Sequence, residues 1–267
     1  MTQLALNIRR IARLNATGYG LWAGFYLLVL LAWAGVALMA RQTRGGEIAT
    51  IPAAFRDALC LSAAQASPLA LWAMWALMAI AMMLPGFVPA LARYCDMTGT
   101  GAASRAGAAM LVLGYLALWL GASVLGAAGQ WGLARAGLLA AGGQSLSPWL
   151  TGLLLIGAGG YQFSPLKDAC LARCRTPLAF FMQHWRPGAR AALGMGARLG
   201  LACLGCCWAL MALGFVGGTM NLYWMGAATI FMALEKLPDI GRHLTRPAGA
   251  ALLAAGGVAL LRMTAMN

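Results

Sequence analysis

Five cysteines fall at helical spacings in two short stretches of the sequence. Cys170 and Cys174 are four residues apart, whereas Cys203, Cys206 and Cys207 follow the spacing i, i+3 and i+4. Each group therefore lies on one face if its segment is helical. Thiolates clustered in this way bind soft or borderline cations such as Cu(I) or Zn(II). The alternative is that these cysteines are small apolar side chains in helix packing.

Methionines and one acid form a second set of candidate ligands. Met74, Met78 and Met82 recur at steps of four, and Met83 follows directly. Thioether sulfur suits Cu(I), so the sequence favours copper over zinc, although such a stripe is also ordinary packing. Glu235 ends an apolar stretch and is a candidate hard ligand or proton carrier, because acids within a membrane are costly. Pairing of Glu235 with a nearby base is the alternative interpretation.

The predicted site for a transition metal ion therefore combines sulfur ligands with one carboxylate. It comprises Cys170, Cys174, Cys203, Cys206, Cys207, Met78, Met82, Met83 and Glu235.

Composition indicates that these residues belong to a membrane protein. Hydrophobic residues make up 62% of the 267 positions, charged residues 9%, and the mean hydropathy is +0.76. A soluble domain carries about a quarter charged residues, so a soluble globule is excluded. The formal net charge of +13 suits nucleic acid or an anionic membrane surface. Long uncharged stretches favour the lipid bilayer, and we predict no nucleic-acid partner.

The uncharged stretches predict an all-α, polytopic transmembrane bundle of about seven spans that forms a single integral domain over residues 1–267. A span needs about 20 mostly apolar residues. The stretch 199–234 is too long for one crossing and contains Gly217-Gly218-Thr219, so we predict two helices there. The last stretch begins at Pro247 and crosses fully only if Arg262 snorkels to the interface. The predicted spans are about 18–40, 68–92, 107–128, 147–163, 196–216, 219–237 and 247–263.

Basic residues predict the orientation, because short cytoplasmic loops are rich in Lys and Arg. With a cytoplasmic N-terminus and a periplasmic C-terminus, 14 of the 19 Lys and Arg residues fall on the inner side of a bacterial inner membrane. The exceptions are Arg41, Arg44, Arg56, Arg135 and Arg262. Loop 42–67, which holds Cys60, is then outside. The first segment lacks a small-residue cleavage site and is predicted to be a retained helix rather than a removed signal peptide.

The longest inner connection is predicted to contain two short amphipathic helices. Ser164-Pro165 and Thr176-Pro177 each place a capping hydroxyl before a proline, which is typical of a helix start.

Several blocks of the sequence resemble a bacterial family of predicted metal-binding integral membrane proteins. They keep the family's order and cover roughly residues 70–260. The blocks are Met74–Met78, Ala81–Pro85, Tyr161–Arg175, Gly205–Met211, Met220–Met225 and Glu235–Leu237. The chain departs from the family at one place. The family has a segment of the type His-Gly-x-Tyr-Cys before the Gly-Cys-Cys block, whereas this chain has Gly200-Leu-Ala-Cys203-Leu there, without the histidine.

The resemblance implies a polytopic protein that binds, transports or delivers a metal, with a metalloprotein or a membrane complex as its partner. Two other functions remain open. The thiols could exchange electrons in a membrane thiol-disulfide oxidoreductase, or the chain could be a structural or assembly subunit. No Gly-rich phosphate loop, nucleophile elbow or metalloprotease helix occurs, so hydrolytic chemistry has no support.

Overall fold

A computed structural model describes residues 2–42, 67–99, 101 and 103–264. The predicted outer loop with Arg44, Arg56 and Cys60 lies outside the described residues. The described chain is all-α, as predicted, with one isolated antiparallel bridge between Leu139 and Ser145.

The helices follow one another closely along the chain. They are α1 (Thr2–Gln42), α2 (Pro68–Met83), a 3-10 turn (Pro85–Phe87), α3 (Val88–Gly99), α4 (Arg105–Arg135), α5 (Pro148–Tyr161), α6 (Pro165–Arg175), α7 (Pro177–His184), α8 (Ala189–Ala212), α9 (Gly214–Gly217), α10 (Leu222–Glu235) and α11 (Pro238–Thr264).

Four helical segments in the described ranges are long and apolar enough to cross a membrane: Tyr19–Arg41, Arg105–Arg135, Ala189–Gly217 and Pro238–Arg262. A fifth crossing results if Pro68–Met83 and Pro85–Thr98, which are bent by 44°, count as one span. Helices α5 and α10 have 14 residues each. At about 1.5 Å per residue they are shorter than the hydrocarbon core of about 30 Å. The fold is therefore that of a multi-pass membrane protein.

The predicted span over 68–92 is bent rather than continuous, because the helix breaks at Pro85. Proline lacks an N–H and cannot donate to the carbonyl oxygen of Ala81. The Trp33 indole from α1 donates to that oxygen instead, at 2.9 Å. The chain continues as the 3-10 turn, in which the Phe87 N–H donates to the Leu84 oxygen at 2.9 Å, and then as α3.

The last helix extends further towards the N-terminus than the predicted span, which starts at Pro247. Helix α11 begins at Pro238 and runs through Pro247 without ending. A proline inside a spanning helix is tolerated where neighbouring groups satisfy the freed carbonyl. The predicted break between two helices is confirmed, since α9 ends at Gly217 and α10 begins at Leu222.

The two predicted inner helices begin at Pro165 and Pro177 as expected. The Ser164 hydroxyl caps α6 by accepting from the Leu166 N–H at 3.2 Å. The Thr176 hydroxyl does not cap α7. It donates instead to the Ala172 carbonyl at 2.8 Å, and so closes the end of α6.

Helices α4 and α8 form the centre of the bundle. They approach closely because Gly114 faces the Leu193 carbonyl and Gly196 faces the Leu111 carbonyl. A Cβ at either glycine would collide with the main chain of the other helix, which is the small-residue packing expected in lipid. Helix α2 packs on α4, and α6 packs on α8. This arrangement brings the C-terminal end of α2 to the cysteines of α8.

Candidate metal centre

The bend at Pro85 positions Met83. Because the Phe87 N–H bonds to Leu84, the carbonyl of Met83 is free for another donor. The Tyr115 hydroxyl from α4 donates to it at 3.0 Å. Met83 is fully buried, with 0% of its surface exposed, so its thioether is held inside the bundle.

Three cysteines of α8 face this methionine. The Sγ atoms of Cys203, Cys206 and Cys207 all lie within 4.8 Å of one another, and all three residues are buried. The thiols of Cys206 and Cys207 both donate to the Cys203 carbonyl, at 3.1 Å and 2.8 Å. The i, i+3, i+4 spacing thus produces one cluster on one face of α8, as the sequence indicated.

Two of the cysteines lie close to the Met83 sulfur. Its Sδ is 3.5 Å from Cys207 Sγ and 4.0 Å from Cys203 Sγ. Ligand sulfurs bound at about 2.3 Å in a trigonal plane lie about 4 Å apart. The two separations from Met83 Sδ are thus close to this value, and the Sγ atoms of Cys203 and Cys207 lie within 4.8 Å of each other.

A positive charge and a hydroxyl border the sulfur cluster. Lys236 follows α10 and is buried, and its Nζ lies 3.2 Å from Cys203 Sγ. Gly86 in the 3-10 turn leaves room for this ammonium, since a Cβ there would lie 2.5 Å from Nζ. The Tyr115 hydroxyl lies 3.0 Å from Cys203 Sγ. The ammonium stabilises negative charge on the sulfur, whereas the single hydroxyl hydrogen of Tyr115 is donated to the Met83 carbonyl.

Cys170 and Cys174 lie beside the cluster rather than in it. They are half-buried on α6 and pack against the core. Cys170 Sγ would lie 2.5 Å from a Cβ at Gly205, the residue before Cys206. Cys174 lies within electrostatic range of Lys236. Burial raises the pKa of the Cys170 thiol above its ordinary value, and the nearby Cys206 raises it further, whereas Arg173 acts in the opposite direction.

The remaining predicted ligands occupy other places. Met78 and Met82 are buried on α2, but in the described part of the chain no cysteine thiol donates to either of them. Glu235 is buried and forms an ion pair with Lys167, with Oε2 2.9 Å from Nζ. The Arg175 Nε also donates to the Glu235 carbonyl at 2.9 Å. Glu235 is therefore tied to α6 by both side chain and main chain.

An apolar cavity of about 680 Å³ lies next to Cys170. Its wall includes Cys170 and Arg173 from α6 and Gly205 from α8, with Trp75 and Phe215 from the interior of the bundle. The half-buried thiol of Cys170 thus lies between this cavity and α8, the helix that carries the cysteine cluster.

Sequence reasoning missed three residues of the site: Tyr115, Lys236 and Lys167. Lys236 and Lys167 were assigned to basic inner loops, where lysines normally contact water. A detectable signal was the pair Glu235-Lys236, because an acid and a base at the end of an apolar stretch need partners once they are buried. Tyr115 gave a weaker signal, as a hydroxyl in the middle of the uncharged stretch 106–134.

Fold and site together define a multi-pass helical membrane protein with a buried sulfur site for a soft metal ion. A family model described as "PpoB2: Copper chaperone" matches residues 72–259. The chain therefore belongs to the PpoB2 copper chaperone family, which confirms the metal-binding resemblance and the preference for copper. A chaperone function implies a partner that receives the copper. No curated protein and no solved structure shows significant similarity to the chain.

Proposed function

We propose that the chain carries Cu(I) on Cys203, Cys207 and Met83. The observation that supports this most strongly is the separation of Met83 Sδ from the two thiol sulfurs, 3.5 Å and 4.0 Å, inside a buried core. Cu(I) prefers soft thiolate and thioether ligands and accepts low coordination. Copper is the cargo of this site, and the remaining predicted ligands do not belong to this set of three.

Charge balance favours Cu(I) over Zn(II) at these ligands. One Cu(I) on two thiolates has a net charge of −1, which the ammonium of Lys236, 3.2 Å from Cys203 Sγ, neutralises. Zn(II) on the same two thiolates is already neutral, so the positive charge of the Lys236 ammonium would remain uncompensated. Because net charge in a water-poor interior is costly, the site should discriminate against zinc.

Cys206, Cys170 and Cys174 are proposed to act in release rather than in storage. Cys206 Sγ lies in the same cluster, and Cys170 lies against Gly205 and lines the apolar cavity. Copper that moves from Cys207 to Cys206 and then to Cys170 would reach a half-buried thiol on an inner-surface helix. We infer that a copper-receiving metalloprotein or membrane complex docks there. Met78, Met82 and Glu235 lie outside this ligand set.

The proposed topology has seven crossings in a bacterial inner membrane, with the N-terminus inside and the whole chain forming one integral domain. The distribution of basic residues supports this, and α5 and α10 then cross as short spans. The five clustered cysteines then lie in the cytoplasmic half of the membrane or at its inner surface.

This orientation places Gly142 outside and Thr176 inside. Alkaline phosphatase fused after Gly142 should therefore be active, and alkaline phosphatase fused after Thr176 should be inactive. The reverse pattern would contradict the orientation.

A thiol oxidoreductase has less support than copper transfer. Reactive cysteines have low pKa values, whereas burial raises the pKa of Cys170. The cysteines recorded in the described residues are all unpaired thiols.

Met83→Leu tests the thioether ligand. This change keeps the volume of the side chain and removes the sulfur, so the fold should persist. We expect the Cu(I) affinity, measured by competition with a chromophoric chelator, to fall by about 10–100-fold, comparable with the loss of a group close to a metal. Met78→Leu is the matched control on the same helix and should leave the affinity unchanged. Equal affinities of M83L and wild type would contradict the proposed ligand set.

A further inference from the structure

A second cavity, separate from the sulfur site, lies where the end of α6 meets the beginning of α11. It measures about 550 Å³. Its wall consists of Asp168, Arg175, Arg242, His243, Thr245, Arg246 and Pro247. Three guanidinium groups thus face one carboxylate, and the cavity has a positive formal charge. None of these residues takes part in the proposed copper site.

One arginine of this cavity has a buried hydrogen-bond donor without a partner, and the other two, Arg242 and Arg246, are exposed. Arg175 is held in place because its Nε donates to the Glu235 carbonyl at 2.9 Å, yet its Nη2 is buried and has no hydrogen-bond partner in the described ranges. The ion pairs found among the described residues include neither Arg242 nor Arg246. A buried donor without an acceptor is costly, so the cavity favours an anionic ligand.

Arginines from two helices line this one cavity and can share one anion. Arg242 and Arg246 are four residues apart on α11 and lie on the same face. Arg175 approaches from the last turn of α6. Planar guanidinium groups bind phosphate through paired N–H donors, and they bind it better than single ammonium groups do.

We propose that this cavity binds a phosphate group, either in the head group of an anionic phospholipid or as free phosphate. Arg242 and Arg246 lie near the start of the candidate span Pro238–Arg262, which is the level of lipid head groups. Leu237 and Ile240, 41% and 49% exposed, lie at the start of the same helix and can contact the lipid beside the head group. Basic pockets between spanning helices bind anionic head groups. These features favour the lipid as the source of the phosphate.

The test is native mass spectrometry of the full-length protein in detergent, titrated with phosphatidylglycerol, phosphatidylcholine or inorganic phosphate. We expect one phosphatidylglycerol to bind more tightly than phosphatidylcholine. Each of Arg242→Gln and Arg246→Gln should weaken this binding by about fivefold, which corresponds to about 1 kcal/mol per arginine near a membrane surface. The α11 double variant, which carries both changes, should weaken it further. The pair Arg190→Gln and Arg198→Gln removes the same charge from exposed positions on α8 and should leave binding unchanged.

The outcomes test separately whether the arginine site exists and whether a lipid is the source of its phosphate. Equal loss of lipid in the α11 and α8 double variants would overturn the site, because charge alone would then explain binding. Displacement of phosphatidylglycerol by equimolar inorganic phosphate would overturn the lipid as the source. Retention of copper affinity by the α11 double variant is expected, because the cavity shares no residue with the sulfur cluster.

Discussion

Replacing Cys203 and Cys207 with serine is expected to reduce the Cu(I) affinity of the protein by more than about a hundredfold. Loss of a residue that only supports a ligand already costs about 10–100-fold, and the double change removes two of the three proposed sulfur ligands. Competition with a chromophoric Cu(I) chelator measures the affinity directly. Cysteine and serine are similar in size, so the α4–α8 contact should survive.

Cys95→Ser is the matched control for that experiment. Cys95 is a half-buried free thiol on α3 that is not part of the sulfur cluster. Its substitution should leave the affinity at the wild-type value. If the double variant binds Cu(I) as tightly as C95S does, the cluster of α8 is not the copper site.

Glu235→Gln is expected to destabilise the protein by about 3–5 kcal/mol, because it leaves the ammonium of Lys167 buried and unpaired. The pair lies at 2.9 Å with side-chain exposures of 1% and 2%. Thermal unfolding of the copper-free protein in detergent, followed by circular dichroism, measures the loss. The double variant Lys167→Met, Glu235→Leu should recover most of it, since apolar residues of similar volume can replace a buried ion pair.

Asp96→Asn provides the comparison for an exposed pair. Arg93 and Asp96 lie 3.4 Å apart with side-chain exposures of 61% and 67%, and such pairs contribute at most about 1 kcal/mol. Copper affinity separates the two possible functions of Glu235. If the K167M/E235L variant folds but no longer binds Cu(I), the Lys167–Glu235 pair contributes to copper binding and is not only structural.

The convergence of the cysteines was predictable because helical spacing determines which side chains share a face. Cys203, Cys206 and Cys207 needed only a continuous helix to form a cluster. The inward direction of the helix predicted that Met82 and Met83, rather than Met78, lie at the depth of the cysteines, but the choice of Met83 over Met82 was not predictable from the sequence. That choice depends on the bend at Pro85, which frees the Met83 carbonyl for Tyr115.

The limits of the spans were harder to predict than their existence. Apolar length indicates where a helix can cross, but Pro85 interrupts α2 whereas Pro247 does not interrupt α11. Both are single prolines within otherwise helical patterns, so the sequence does not distinguish them, and the packing around each decides the outcome. Lys236 and Lys167 were missed for the same reason: a lysine at the end of an apolar stretch normally reaches water, and only the packed bundle buries it.

The most direct test of the copper site is X-ray absorption spectroscopy of the protein loaded with one Cu(I). We expect a shell of three sulfur atoms at about 2.3 Å, the distance typical of metal–sulfur ligation. In M83L one sulfur should be lost while the two thiolates remain. A first shell dominated by nitrogen or oxygen, or a spectrum that is unchanged in C203S/C207S, would contradict the assignment of copper to the cluster between α2 and α8.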